Sequence, residues 1–302
     1  MEPGDTIGIV APASFAALDK IQPAEENLTK MGYQVRLGRS CSSRWYSFAG
    51  NDRLRAGDLN SFFEDDEIKA IICLRGGYGV SRLLDELDYN LIENHPKIFV
   101  GYSDITLLHL VFNQRSNLIT FHGPMLTSNF VSEPDSKTKS SFENTVRFGF
   151  KPYAITNPDE QPLERLVGGT AEGVVIGGNL TLLMSTFGTI YQPDLDGKIL
   201  FIEDVKEATY RIDRALTQLI LSGELKRIKG IILGSFKECN QSDPEDMTLE
   251  EVFWDRLSNL GVPIIANFKS GHCTPIVTLP LGALIRLDAD QLKIEILEKV
   301  VD

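Results

Sequence analysis

The sequence predicts an α/β protein with a parallel sheet in its first half and a mixed α/β domain in its second. Three observations predict this. Short apolar runs alternate with amphipathic helical segments as far as about residue 125, the pattern of a parallel sheet covered on both faces. From about Thr127 to Leu166 the chain turns polar and carries Pro and Asp. Strand and helix patterns then resume and end on a segment that reads as a β-hairpin. A chain of 302 residues is long enough for two medium domains. The expected division is a first domain over 1–130, a connection over 131–165 and a second domain over 166–302, with a cleft between the domains.

"TIGIVAPAS" reads as a strand that ends in Pro and small residues. "AEENLTKMGYQVRL" reads as a helix stopped by Gly32 and followed by a short strand, and "NDRLRAGDLNSFFEDD" has apolar residues at helical spacing. "IKAIICLRGGYG" is a buried strand ending in glycines, with "SRLLDELDYNLIENHP" after it as a helix. "KIFVGYSD", "ITLLHLVFNQ" and "LITFHGPM" continue as strand, helix and strand. Right-handed crossovers bring the C-terminal ends of all these strands to one sheet edge, where open sheets bind ligands. One helix is expected in the polar connection. Beyond it, "KILFIEDV", "IKGIILGSF" and "PIIANFKSGH" read as strands. "ATYRIDRALTQLILSG" and "LEEVFWDRLSNLG" are helices closed by Gly. "ALIRLDADQLKIEILE" is the closing hairpin, around Asp288-Ala289-Asp290.

The net charge is −12 and there is no Lys/Arg block, so no nucleic-acid partner is expected. The acidic balance also disfavours anionic membranes. Cys41, Cys73, Cys239 and Cys273 are scattered without C-x-x-C and read as reduced thiols of a cytoplasmic protein. "MEPGDTIGIVAPAS" has no basic n-region and no long apolar run, so neither a signal peptide nor a membrane span is expected. No H-x-x-x-H, HExxH or paired CxxC occurs, and neither metal nor cofactor is expected.

Ser103 lies where a buried strand turns sharply into a helix, in Gly101-Tyr102-Ser103-Asp104. A serine there can cap the helix. It can also stand proud of the sheet edge as a nucleophile, with the free helix amides aimed at whatever it attacks. G-x-S-x-G is only half present. The loop "RGGYG", residues 75–79, lets backbone approach a ligand closely, but Arg82 stands where a dinucleotide fingerprint needs its last glycine. A serine nucleophile needs a base, and only His95, His109, His122 and His272 exist. His95 reads as exposed and His109 as core. His122 and His272 both remain open, with His272 favoured by its Gly-led turn. The strand "ILFIEDV" ends on Glu203-Asp204, and Glu203 continues the buried run more directly, which favours it as the orienting carboxylate. Cys273 is a minor alternative nucleophile.

Together "GIVAPAS", "LRGGYGVSRLLDELDY", "FVGYSDITLLHL", "FHGPM", "IGGNLTLL", "LFIEDVKEATYRIDRALTQL" and "SGHCTPIVTLPLGA" resemble the LD-carboxypeptidase family from about Gly4 to Gly282. That family of serine peptidases includes muramoyltetrapeptide carboxypeptidases and microcin C immunity peptidases. The resemblance implies a Rossmann-like N-terminal domain, a smaller mixed C-terminal domain and a homodimer. It also implies a triad of Ser103, Glu203 and His272, with an oxyanion held by the amide of Asp104 and an amide of the glycine loop, Gly77 or alternatively Gly76. The implied reaction releases a C-terminal D-amino acid, expected to be D-alanine, from a murein tetrapeptide. Arg75 is then a candidate for the free carboxylate, with Gly76 and Asn179 as further substrate contacts. The chain is short for an immunity peptidase, which favours the cell-wall branch. A nucleotide-binding oxidoreductase and a non-catalytic peptidoglycan-fragment binder are the rival readings.

Overall fold

Every residue from Ile7 to Val10 except Gly8 has a wholly buried side chain, and the same holds for Ala70 to Cys73 and for Phe99 and Val100. These runs are the inner strands of a sheet covered on both faces. The computed structural model describes residues 1–148, 152–158 and 160–301. In chain order the first half holds β1 (Thr6–Val10), α1 (Leu18–Lys30), β2 (Gln34–Leu37), α2 (Asp52–Glu64), β3 (Ile68–Cys73), α3 (Tyr89–Asn94), β4 (Ile98–Gly101), α4 (Thr106–Arg115), β5 (Thr120–His122) and α5 (Leu126–Asn129). The segment over 81–96, expected as one helix, is two pieces. A 3-10 stretch at Val80–Glu86 ends at the extended Leu87, and Asp88 then caps α3 by accepting Leu91 N–H at 2.9 Å.

The expected helix of the polar connection is α6 (Ser136–Phe148), followed by β6 (Tyr153–Ile155) and β7 (Glu164–Val167). This stretch is packed rather than loose: Phe142 and Val146 are wholly buried, and Phe142 meets Phe130 edge-on at 6.1 Å. The second half holds β8 (Thr170–Asn179), α7 (Leu180–Ser185), β9 (Ile199–Val205), α8 (Thr209–Ser222), β10 (Gly230–Lys237), α9 (Leu249–Leu257), β11 (Ile264–Ala266), β12 (Leu279–Leu281), β13 (Leu284–Asp288) and β14 (Lys293–Ile296). Among the described residues no helix is long and apolar enough to cross a membrane.

The first sheet runs β12-β5-β4-β3-β1-β2, parallel except for β12 against β5. The second runs β6-β14-β13-β8-β9-β10-β11-β7, with β8 to β11 parallel and the outer strands antiparallel. Strand β12 comes from the second half of the chain yet completes the first sheet. It is an edge strand, the place that tolerates Pro280. One apolar cluster joins the sheets, with Val100 and Phe121 from the first and Phe201 and Ile232 from the second. The C-terminal ends of β4 and β9 therefore face one another across a common core, and the candidate site forms there.

Candidate active site

Strand β4 ends at Gly101, whose carbonyl accepts the N–H of Gly123 at 3.1 Å and the Nε2–H of His109 at 2.9 Å. Two residues on, Ser103 takes a φ of +67°, in the left-handed region that a side chain enters at a cost of about 1–3 kcal/mol. The expectation that Ser103 also caps the helix does not hold. It lies inside the first turn, where no side chain makes a capping hydrogen bond, and its hydroxyl turns to His272 instead. Gly76 packs directly under it: a Cβ on Gly76 would stand 2.8 Å from Cβ of Ser103, so only glycine fits.

His272 Nε2 lies 3.1 Å from Ser103 Oγ, and its Nδ1 lies 2.7 Å from Glu203 Oε2. The same carboxylate oxygen accepts the backbone N–H of His272 at 3.3 Å. Gly271, at φ +111°, brings the loop so close to Glu203 that a Cβ would meet Oε2 at 2.5 Å. Glu203 is 0% exposed, and its Oε1 has no partner. The ring of Tyr102 meets His272 edge-on at 5.0 Å. A hydroxyl, an imidazole and a buried carboxylate thus stand in series, an order that can move a proton off the hydroxyl and stabilise the resulting imidazolium.

The other candidates separate clearly. His122 is wholly buried; its Nδ1 lies 3.0 Å from Ser270 Oγ, and burial holds its pKa well below the usual imidazole range. It therefore steadies the loop that carries His272 and does not reach Ser103 itself. His109 is core, and burial brings it down to about 4. His95 is partly exposed, 4.0 Å from Asp66. Burial pushes the Cys273 thiol up to about 11, so it is not a thiolate at neutral pH. Asp204, adjacent to Glu203, points the other way and accepts from Asn179 Nδ2 at 3.0 Å and from Thr181 N–H at 3.0 Å. Asn179 is itself buried and caps α7 by accepting Leu182 N–H at 3.1 Å, so both ends of its amide are held inside the protein. Arg75 is exposed and donates to the carbonyls of Gly76 at 3.2 Å and Phe15 at 3.4 Å. Among the described residues no group of three His, Cys, Asp or Glu side chains is placed to hold a metal.

Two supporting residues went unpredicted. The Asp104 side chain is buried and its Oδ2 accepts Val80 N–H at 2.9 Å, tying the elbow to the segment after the glycine loop; burial raises its carboxyl to about 6. Arg55 is 0% exposed and donates to the carbonyls of Pro12 and Gly79, which joins the end of β1 to the same loop. The signal for Arg55 lies in its spacing. It shares the i, i+4, i+8 stripe of α2 with the buried Leu59 and Phe63.

The LD-carboxypeptidase N-terminal domain matches residues 7–123 and the LD-carboxypeptidase C-terminal domain matches residues 172–287. The chain is 42% identical over 283 residues to a probable murein peptide carboxypeptidase of Bacillus subtilis, covering 93% of this chain and 88% of the relative. A structure of MccF in complex with glutamyl sulfamoyl guanosine superposes with a TM-score of 0.93 at 28% identity, covering 100% of this chain and 98% of that one. The muramoyltetrapeptide carboxypeptidase from Oxalobacter formigenes gives a TM-score of 0.85 at 31% identity, over 96% and 97% of the two chains. With both domains matched in order over most of its length, the chain belongs to the LD-carboxypeptidase family.

Proposed function

We propose that this protein is a serine-type LD-carboxypeptidase that releases a C-terminal D-amino acid, expected to be D-alanine, from a murein tetrapeptide. The observation that carries the reading is the hydrogen-bonded series of Ser103, His272 and Glu203. His272 takes the proton of Ser103 as the hydroxyl oxygen attacks the carbonyl of an L-centre such as meso-diaminopimelate or lysine. Glu203, buried and, among the described residues, paired with no cation besides His272, holds the imidazole tautomer and offsets the positive charge. The amides of Asp104 and Gly77 receive the oxyanion, a role in which one donor contributes about 3 kcal/mol to the transition state. His272 then returns its proton to the leaving amine, and water repeats the sequence on the acyl-enzyme. Arg75 at the rim takes the free carboxylate. We place this activity in cytoplasmic peptidoglycan recycling and expect a homodimer, which light scattering on the purified protein tests.

Mass spectrometry of murein tetrapeptide incubated with wild type and with Ser103→Ala tests the reading. Tripeptide is expected from wild type alone; no tripeptide from either, with retained peptide binding, identifies a binder instead. The structural similarity to MccF favours one second reading, cleavage of a peptidyl-nucleotide by the same residues. An aminoacyl sulfamoyl nucleoside offered as a competing substrate separates the two.

A further inference from the structure

Residues 44–48 form a tight turn in which Trp45 and Phe48 exchange backbone hydrogen bonds of 3.0 and 2.9 Å. The turn lies edge-on against the segment after β1, with Ala49 N–H on Ala13 O at 3.1 Å and Phe15 N–H on Ser47 O at 3.3 Å. Ser14 in that segment packs on Gly77 and accepts Tyr78 N–H at 3.2 Å. The turn is thus fastened to the same glycine loop that supports Ser103. On the turn and on the glycine loop stand rings that the fold does not bury. Trp45 is 40% exposed, Tyr46 79% and Tyr78 55%. They are held in register: Trp45 meets Tyr46 at 5.3 Å and Phe48 at 5.7 Å, and Phe48 meets Tyr78 at 5.4 Å. Tyr46 has a φ of +54°, which is costly for a bulky residue and is relieved by glycine.

Two cations flank the rings. Arg44 lies 4.0 Å over the Phe15 ring and donates Nε–H to Tyr46 O at 3.2 Å. Arg75 donates only to carbonyls. Among the described residues no carboxylate forms an ion pair with either, whereas Arg82 close by is clamped on Asp52 at 2.7–3.1 Å. In a chain of net charge −12, guanidinium groups kept clear of carboxylates beside exposed rings fit an anionic ligand with an aliphatic stem.

We propose that this face is a subsite for an acidic peptide, the part of the substrate on the N-terminal side of the cleaved bond. Its carboxylate pairs with Arg44, and its stem lies on Trp45, Tyr46 and Tyr78. The assignment rests on the carboxypeptidase reading, because an enzyme that releases one C-terminal residue has use for an extended surface only on the acyl side.

The test compares kcat/KM for a tetrapeptide carrying a glutamate N-terminal to the cleaved bond with that for the dipeptide around the bond, in wild type, Arg44→Ala and Tyr46→Gly. The long-to-short ratio is expected to fall about tenfold in Arg44→Ala, through KM, the order of one charge-assisted hydrogen bond. Replacing the peptide's glutamate by glutamine is expected to abolish the dependence on Arg44. Tyr46→Gly relaxes the turn, so its thermal midpoint should hold or rise while the ratio falls. A ratio unchanged in both variants, or an equal loss on both peptides, overturns the subsite. Calorimetry of the glutamate peptide on Ser103→Ala, with and without Arg44→Ala, keeps the two readings distinguishable. Arg44-dependent binding without D-amino acid release by wild type leaves the subsite standing and removes the peptidase; release with no Arg44 dependence does the reverse.

Discussion

The two ends of the hydrogen-bonded series are held by different means. Ser103 is placed by backbone: a left-handed residue after Gly101, a glycine packed beneath it and a helix starting behind it. His272 is placed by side chains and loop contacts. Glu203 takes both its ring and its backbone N–H, and His122 steadies the loop through Ser270. The backbone-held end has little freedom to drift when a neighbouring side chain changes. The other end depends on a few polar groups in a wholly buried setting, where each lost partner is felt in full. Changes near the serine should be all-or-none, and changes near the histidine should be graded.

Ser103→Ala is the sharpest case. It is expected to lower D-alanine release roughly 10⁴–10⁶-fold with the fold intact, and a loss under tenfold would remove Ser103 as the nucleophile. Glu203→Gln keeps the shape of the buried group and loses its charge; turnover should drop roughly 10³–10⁴-fold, mostly in kcat. If KM rises in proportion instead, Glu203 acts on binding. Gly271→Ala forces a Cβ against Glu203 and shifts His272, with an expected loss of roughly 100-fold in kcat, since misplacement of about 1 Å has that effect. A loss as large as that of Ser103→Ala would break the graded picture.

Two smaller effects concern stability on the serine side. The Asp104 carboxyl is raised by burial from its ordinary 3.8 to about 6, so the folded protein holds this proton more tightly than the unfolded chain. Its contribution is therefore present below about pH 4 and is lost as pH rises through about 6. Asp104→Asn cannot ionise, and urea unfolding should show wild type losing about 2–3 kcal/mol relative to the variant between pH 4 and pH 7. A constant difference across that window shows the carboxyl is not so perturbed. Ser103→Gly relieves the left-handed φ and should stabilise the protein by about 1 kcal/mol while abolishing turnover; a variant less stable than wild type shows that the hydroxyl's bond to His272 outweighs the strain.

Much of the first sheet was legible, because doubly buried strands print as unbroken apolar runs between amphipathic helices. The elbow was legible as a position but not as a role, since a capping serine and an attacking serine look alike until the dihedral is known. His122 and His272 were both credible from their neighbours, with His272 favoured only by its Gly-led turn. What separates them is Gly271, which lets one loop fold onto Glu203, and that is a three-dimensional fact. The break of the expected 81–96 helix was signalled only by Asp88. Strand β12 was not legible at all: three residues with a proline among them carry no period, and their partner lies more than 150 residues earlier in the chain. Asn179 was read as a substrate contact from its position in "IGGNL", and its cap and its bond to Asp204 appear only once β8 and β9 are side by side.

That returning strand has a consequence for anyone who divides the molecule. A fragment that stops in the polar connection leaves β5 with an open row of amides and carbonyls, an invitation to self-association. The complementary fragment carries the missing piece, only seven residues past His272. Two such halves, made separately, should be poorly behaved alone and should assemble as a pair, the second donating its short strand to seal the first.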